Sequence, residues 1–160
     1  MKKVTYSLIL TILAIPLPGC YKANPKSYLP DQLSGLWSQT SLHYKAYKGA
    51  ELIEEYTEAA KDDKQITILF YKNGTFETDE RSREDGRWEV TEHITGTCRY
   101  IPDTGTLIME DKTNGAYSET KVLTLTGQQL TLSQSAAPAS HNPKADKELF
   151  IADFTRGPFK

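Results

Sequence analysis

Cysteine is nearly absent: two residues among 160, Cys20 and Cys98, cannot build a disulfide framework, and neither stands in a Cys-x-x-Cys pair or a Cys/His cluster that would hold a metal. An excess of one charge is lacking too. The 19 basic and 21 acidic side chains give a formal net charge of -2, so no cationic surplus exists to neutralise phosphates and no nucleic acid is expected as a partner. The chain has no Gly-x-Ser-x-Gly, no Walker loop and no Gly-x-Gly-x-x-Gly, which removes the common signatures of hydrolases and nucleotide-dependent enzymes.

Histidine is sparse as well. His43, His93 and His141 have no partner at i+2 or i+4, so they read as surface residues rather than zinc or copper ligands. The acidic groups Asp62-Asp63 and Asp79-Glu80 through Glu84-Asp85 alternate with Lys and Arg. That pattern suits solvated loop tips better than a catalytic carboxylate pair or a calcium loop. Cys98 lies inside a candidate strand, where a buried, inert thiol is the ordinary reading. No catalytic residue, metal or cofactor is therefore indicated, and the chain does not read as an enzyme.

What is present begins at the N-terminus. Lys2 and Lys3 precede an uncharged, mostly apolar run over residues 4–17 that ends in Leu17-Pro18-Gly19-Cys20, the order of a bacterial export signal. A helix of about 14 residues rises only ~21 Å, short of the ~30 Å hydrocarbon core, so a cleaved signal fits better than a permanent span. Leu17-Pro18-Gly19-Cys20 resembles the lipobox of bacterial lipoproteins, with Cys20 at the lipidated position and Pro18 as a departure from the usual occupant. That resemblance implies a signal peptide over residues 1–19 and a lipidated tether over 20–31, where Asn24-Pro25 and Leu29-Pro30 break any apolar period. It also implies a membrane partner reached through acyl chains. Tyr21 is not the Asp that resembles an inner-membrane retention signal, which favours the outer membrane.

The remaining chain, 32–160, is rich in Thr, Tyr, Val and Ile and is punctuated by Gly, Asn and Asp, the habit of an antiparallel all-β domain. Residues 65–78 form two β-type runs around Asn73-Gly74 and predict a hairpin. A three-residue turn with Gly74 left-handed would set Phe70 opposite Phe76, whereas a two-residue turn would pair Tyr71 with Phe76. Further strands are expected at 87–91, 96–101, 106–111, 117–125, 129–134 and 148–155. Residues 51–60 carry both helical and alternating spacing and are read as a strand. The polar stretch 136–147 reads as a long loop over one barrel end, either a lid or a floppy connection.

Gly35-Leu36-Trp37 opening the first strand looks like the Gly-x-Trp signature of lipocalins and the wider calycin group. In the same order follow Phe70-Tyr71-Lys72-Asn73-Gly74-Thr75-Phe76, Gly86-Arg87-Trp88-Glu89-Val90, Val122-Leu123-Thr124-Leu125 with Leu130-Thr131-Leu132, and Phe154-Thr155-Arg156. Together they are similar to bacterial lipocalin-like lipoproteins over nearly the whole mature chain. The resemblance implies a small up-and-down barrel of about eight strands, with Trp37 closing its floor and Arg156 lying across it. It further implies a cup for one small apolar ligand. Phe70, Phe76, Trp88 and Tyr100 are the aromatic candidates to line that cup, although such residues more often fill a core. The competing reading is a protein-interaction module, an inhibitor or accessory subunit using the rim and the 136–147 loop.

Overall fold

A computed structural model describes residues 29–136, 139 and 141–158; the expected signal peptide over 1–19, Cys20 and the tether as far as residue 28 lie outside the described residues. Nine strands form one antiparallel sheet: β1 (Gly35–Lys48), β2 (Glu51–Ala59), β3 (Lys64–Phe70), β4 (Thr75–Glu84), β5 (Arg87–Ile101), β6 (Thr106–Asp111), β7 (Tyr117–Leu125), β8 (Gln129–Ala136) and β9 (Lys147–Arg156). A single 3₁₀ turn at Pro102–Thr104 is the one helical element among the described residues.

The sheet closes because β1 pairs with β9 along its length, from Trp37 opposite Arg156 to Tyr47 opposite Lys147. The other edge of β1 is divided. Its first residues, Gly35 to Ser38, pair with β3, while Ser41 to Lys48 pair with β2. Eight strands thus make the ring, and β2 flanks it at one end, opposite the end that holds Trp37. Closure covers most strand edges, the usual hazard of antiparallel sheets, while among the described residues stretches such as the outer edge of β2 and the start of β3 stay unpaired.

Side chains alternate as a period of two requires: in β1, Leu42, Tyr44 and Ala46 are buried inside, and Ser41, His43 and Lys45 face out. The Asn73-Gly74 hairpin takes the three-residue form. Phe70 stands opposite Phe76, Gly74 has φ +82°, and Tyr71 N–H donates to the Thr75 carbonyl at 2.9 Å. Of residues 51–60, Glu51–Ala59 form strand β2, because a hairpin partner in β1 satisfies their backbone and Tyr56 stacks on Tyr44 at 4.8 Å. Where two strands were expected over 87–101, the structure has one, β5, whose register slips opposite Glu80/Arg81. His93 and Ile94 simply continue the ladder to β4, and the slip absorbs the change of face.

The core gathers at the Trp37 end: Leu33, Trp37, Ile68, Phe70, Phe76, Cys98, Leu107, Met109, Leu130, Leu132 and Phe154, together with Leu29. Leu29, within the stretch read as a tether, is buried and its N–H donates to the Lys72 carbonyl at 3.2 Å, so its side chain packs into the barrel floor.

Candidate functional site

The floor is built around Trp37. Its indole N–H donates to the Leu33 carbonyl at 2.8 Å, which fixes the ring beneath the core. The Arg156 guanidinium lies 4.5 Å from the ring centroid and donates to the carbonyls of Gly127 (2.7 Å), Ser34 (2.8 Å) and Gln32. Gly35 is glycine for two reasons visible here: its φ is +125°, and a Cβ would sit 2.6 Å from the Arg156 guanidinium. The Gly-x-Trp spacing therefore lets one cation tie the first and last strands and the 29–34 turn together.

The inner wall changes character toward the mouth. On β7, Ser118 and Thr120 stand opposite Met109 and Leu107 of the core and share their inward face. Both side chains are buried, and both hydroxyl oxygens are without a hydrogen-bond partner among the described residues. Glu80 and Glu92 face each other across β4 and β5, and Asp111 lies on the same inward face of β6, opposite Gly96. The Lys64 ammonium reaches Glu80 Oε1 at 3.1 Å. Burial raises the Glu92 carboxyl above its ordinary value, and the negative charges of Glu80 and Asp111 add to this against a smaller opposing pull from Lys64. Glu80 thus departs from the loop-tip reading: it sits mid-strand on the Phe76 face, while Asp79 points out. The alternation Phe76, Thr78, Glu80 carried that signal in the sequence.

At the mouth, fully buried Glu148 holds down the segment after β8. Its Oε1 accepts the Tyr44 hydroxyl at 2.8 Å and the backbone N–H groups of His141 (2.9 Å) and Asn142 (2.7 Å), while Oε2 lies 3.2 Å from His141 Nδ1. Burial first, and the bond to Glu148 second, push the Tyr44 hydroxyl well above its ordinary value. The Asn142 amide donates to Glu54 at 2.6 Å, and Asp146 N–H donates to the Tyr47 carbonyl at 2.9 Å. The described part of the 136–147 loop is therefore a strap tied to β1, β2 and β9.

An eight-strand antiparallel ring, a tryptophan floor crossed by an arginine from the last strand, and an opposite end bridged by a loop leave one assignment. The fold is lipocalin-like. The chain is similar to the crystal structure of a lipocalin-like protein from Bacteroides uniformis, at 13% identity and a TM-score of 0.49, covering 79% of this chain and 99% of that one. It is also similar to apocrustacyanin C2, at 16% identity and a TM-score of 0.41, over 79% of this chain and 61% of that one. A third is an uncharacterized protein from Bacteroides eggerthii, at 11% identity and a TM-score of 0.42, over 78% of this chain and 98% of that one. No family model matches the chain, and no curated protein matches it.

The aromatic candidates separate in this lipocalin-like barrel. Phe70 and Phe76 are buried in the floor core and Tyr100 packs against it. Trp88 does not join them: it is 39% exposed near the β4–β5 tip, with the Arg83 guanidinium 6.0 Å from its ring. The tip projects beyond the ring, so a residue there faces solvent rather than the cup.

Two histidines lie on the outer surface. His43 Nε2 is 2.8 Å from Asp153 Oδ2 and 3.3 Å from Ser41 Oγ, and Ser41 donates to the same Asp153 oxygen at 2.7 Å. In a catalytic triad serine and aspartate occupy opposite ring nitrogens; here they crowd one nitrogen, and the serine proton goes to the carboxylate. Burial would raise the Asp153 carboxyl, but hydrogen bonds from Ser41, Thr131 and His43 outweigh it and leave it below its ordinary value. His93 pairs with Asp79 at 2.6 Å beside Arg81. His141 belongs instead to the mouth, edge-on to Phe150 with ring centroids 5.2 Å apart. Cys98 is buried, and burial pushes its thiol up to about 12, which removes the thiolate a nucleophile needs.

Proposed function

We propose that this chain is a non-catalytic binding barrel of the bacterial cell envelope, held to a membrane through lipid on Cys20, that carries one small molecule in its cup. The observation that carries the binding reading is the pair of buried, unpartnered hydroxyls, Ser118 Oγ and Thr120 Oγ1, on an inner wall above an apolar floor. A buried donor without a partner costs ~1–3 kcal/mol, and a ligand that accepts from it offsets that cost. Anchoring is supported by Lys2-Lys3, the apolar run and Leu17-Pro18-Gly19-Cys20. Tyr21 in place of Asp favours the outer membrane.

Mass spectrometry of small molecules that copurify with the full chain tests the binding reading. A stoichiometric compound supports it. An empty barrel that captures a partner protein through the exposed Trp88–Val90 tip instead favours the interaction module. Anchoring is tested separately: Cys20→Ser should appear soluble or unprocessed, and a variant that is cleaved normally yet fractionates with membranes refutes lipidation.

A further inference from the structure

The upper wall of the cup is acidic. Glu80 and Asp111 are almost fully buried, Glu92 is half-buried beside them, and Lys64, on Glu80, is the cation set among them. Asp111 uses Oδ1 to accept the Thr113 backbone N–H at 2.7 Å, which caps the β6–β7 turn without neutralising the carboxylate. Beside the Lys64–Glu80 pair, Glu92 and Asp111 add two carboxylates on the same inward face, and among the described residues no ammonium or guanidinium pairs with either. Such crowding is relieved by a proton on Glu92 or by a cation that enters. The Ser118 and Thr120 hydroxyls, buried and unpartnered on the neighbouring strand, add two polar atoms at the same inner face.

We infer that the cup selects a small molecule with an apolar body and a cationic amine head, the body lying toward the Trp37 floor and the ammonium meeting Glu80, Glu92 and Asp111. This rests on the binding reading above and narrows it. An ammonium offers three donors, enough to engage carboxylates from β4, β5 and β6 together, and it carries no acceptor for Lys64 to bind. A carboxylate head in the same place would face like charge from three sides. A hydroxyl head would satisfy Ser118 or Thr120 but leave the charge uncompensated. Burial and the two neighbouring carboxylates hold the Glu92 proton more tightly than usual, and Lys64 opposes this only in part. Glu110, the residue before Asp111, is exposed and points outward, so the acidic character of this face comes from alternation rather than from composition.

Isothermal titration of the full chain in a neutral detergent, with 4-phenylbutylammonium, 4-phenylbutanol and 4-phenylbutanoate as matched probes, separates the cases. The ammonium should bind at least about tenfold more tightly than the alcohol, with the carboxylate weakest, a gap equivalent to about 1.4 kcal/mol. Glu92→Gln is nearly isosteric and relieves a repulsion, so it should fold. It should weaken the ammonium about tenfold while leaving the alcohol unchanged, and the outward Glu110→Gln should change neither. If the alcohol or the carboxylate binds as well as the ammonium, selection for a cation is wrong while the cup stands. If none of the three binds, the cup itself is refuted and the inference falls with it.

Discussion

Trp37, Arg156 and Gly35 act as one unit, and their substitutions should show it. Removing the ring leaves a large void, so Trp37→Ala should cost ~3 to 5 kcal/mol in urea unfolding. Arg156→Ala should cost noticeably less, since the cation–π contact contributes ~0.5 to 2 kcal/mol. The two should couple by more than ~0.5 kcal/mol in a double-mutant cycle, and purely additive losses would detach the floor from the arginine. Cys98, with its thiol pushed up to about 12, should resist alkylation at pH 8 until denaturant is added. Labelling of the folded protein at that pH would place the thiol in a wetter site. Glu92 gives a signed pH prediction. Its folded pKa is raised, so the stability it contributes is present below its unfolded value and is lost as pH climbs through the folded value. Glu92→Gln should therefore melt higher than the parent near neutral pH and match it in acid; a parent that is the more stable at neutral pH would mean that Glu92 is held by a cation.

At the scale of elements, closeness between strands sets the constraints. A Cβ on Gly96 would lie 2.0 Å from the Glu110 carbonyl oxygen and 2.7 Å from Phe76 Cε1, so Gly96→Ala must push β5 off β6 or off the core. The expected loss is ~1 to 3 kcal/mol, like other overpacking changes. Gly74→Val should cost a similar ~1 to 3 kcal/mol, because a β-branched residue is strained at φ +82°. The strap offers a different readout. With Glu148→Ala the amides of His141 and Asn142 lose their acceptor, so their hydrogen exchange should speed up while the far-UV spectrum stays β-type. Unchanged exchange at both amides would mean that the strap is held elsewhere. The strand positions were largely legible, since alternation and turn residues are local signals. Two pieces were not legible for different reasons: 87–91 and 96–101 join through the ladder to the neighbouring β4, whose register slips there, while the strap, read as either a lid or a loose connection, is attached through Tyr44, a partner far along the chain.

For the whole molecule, the location of the N-terminal boundary matters. A chain beginning at Gln32 lacks Leu29, whose burial is worth ~1.5 to 3 kcal/mol, and it should melt below one beginning at Asn24. Equal melting temperatures would leave residues 29–31 with the tether. Local pattern by itself determined the all-β class, the Asn73-Gly74 hairpin and the buried Cys98, because each is written within a few neighbouring residues. Glu80, in the charged run from Asp79 to Asp85, reads as part of a solvated loop tip in one dimension, and the neighbours of Glu92 and Asp111 do not single them out. Only closure of β1 on β9, more than a hundred residues apart, turned those carboxylates inward and left Trp88 outside. Which face of a strand is buried is decided by the strands it meets, and burial, not residue type, is what makes an acidic side chain part of the inner wall.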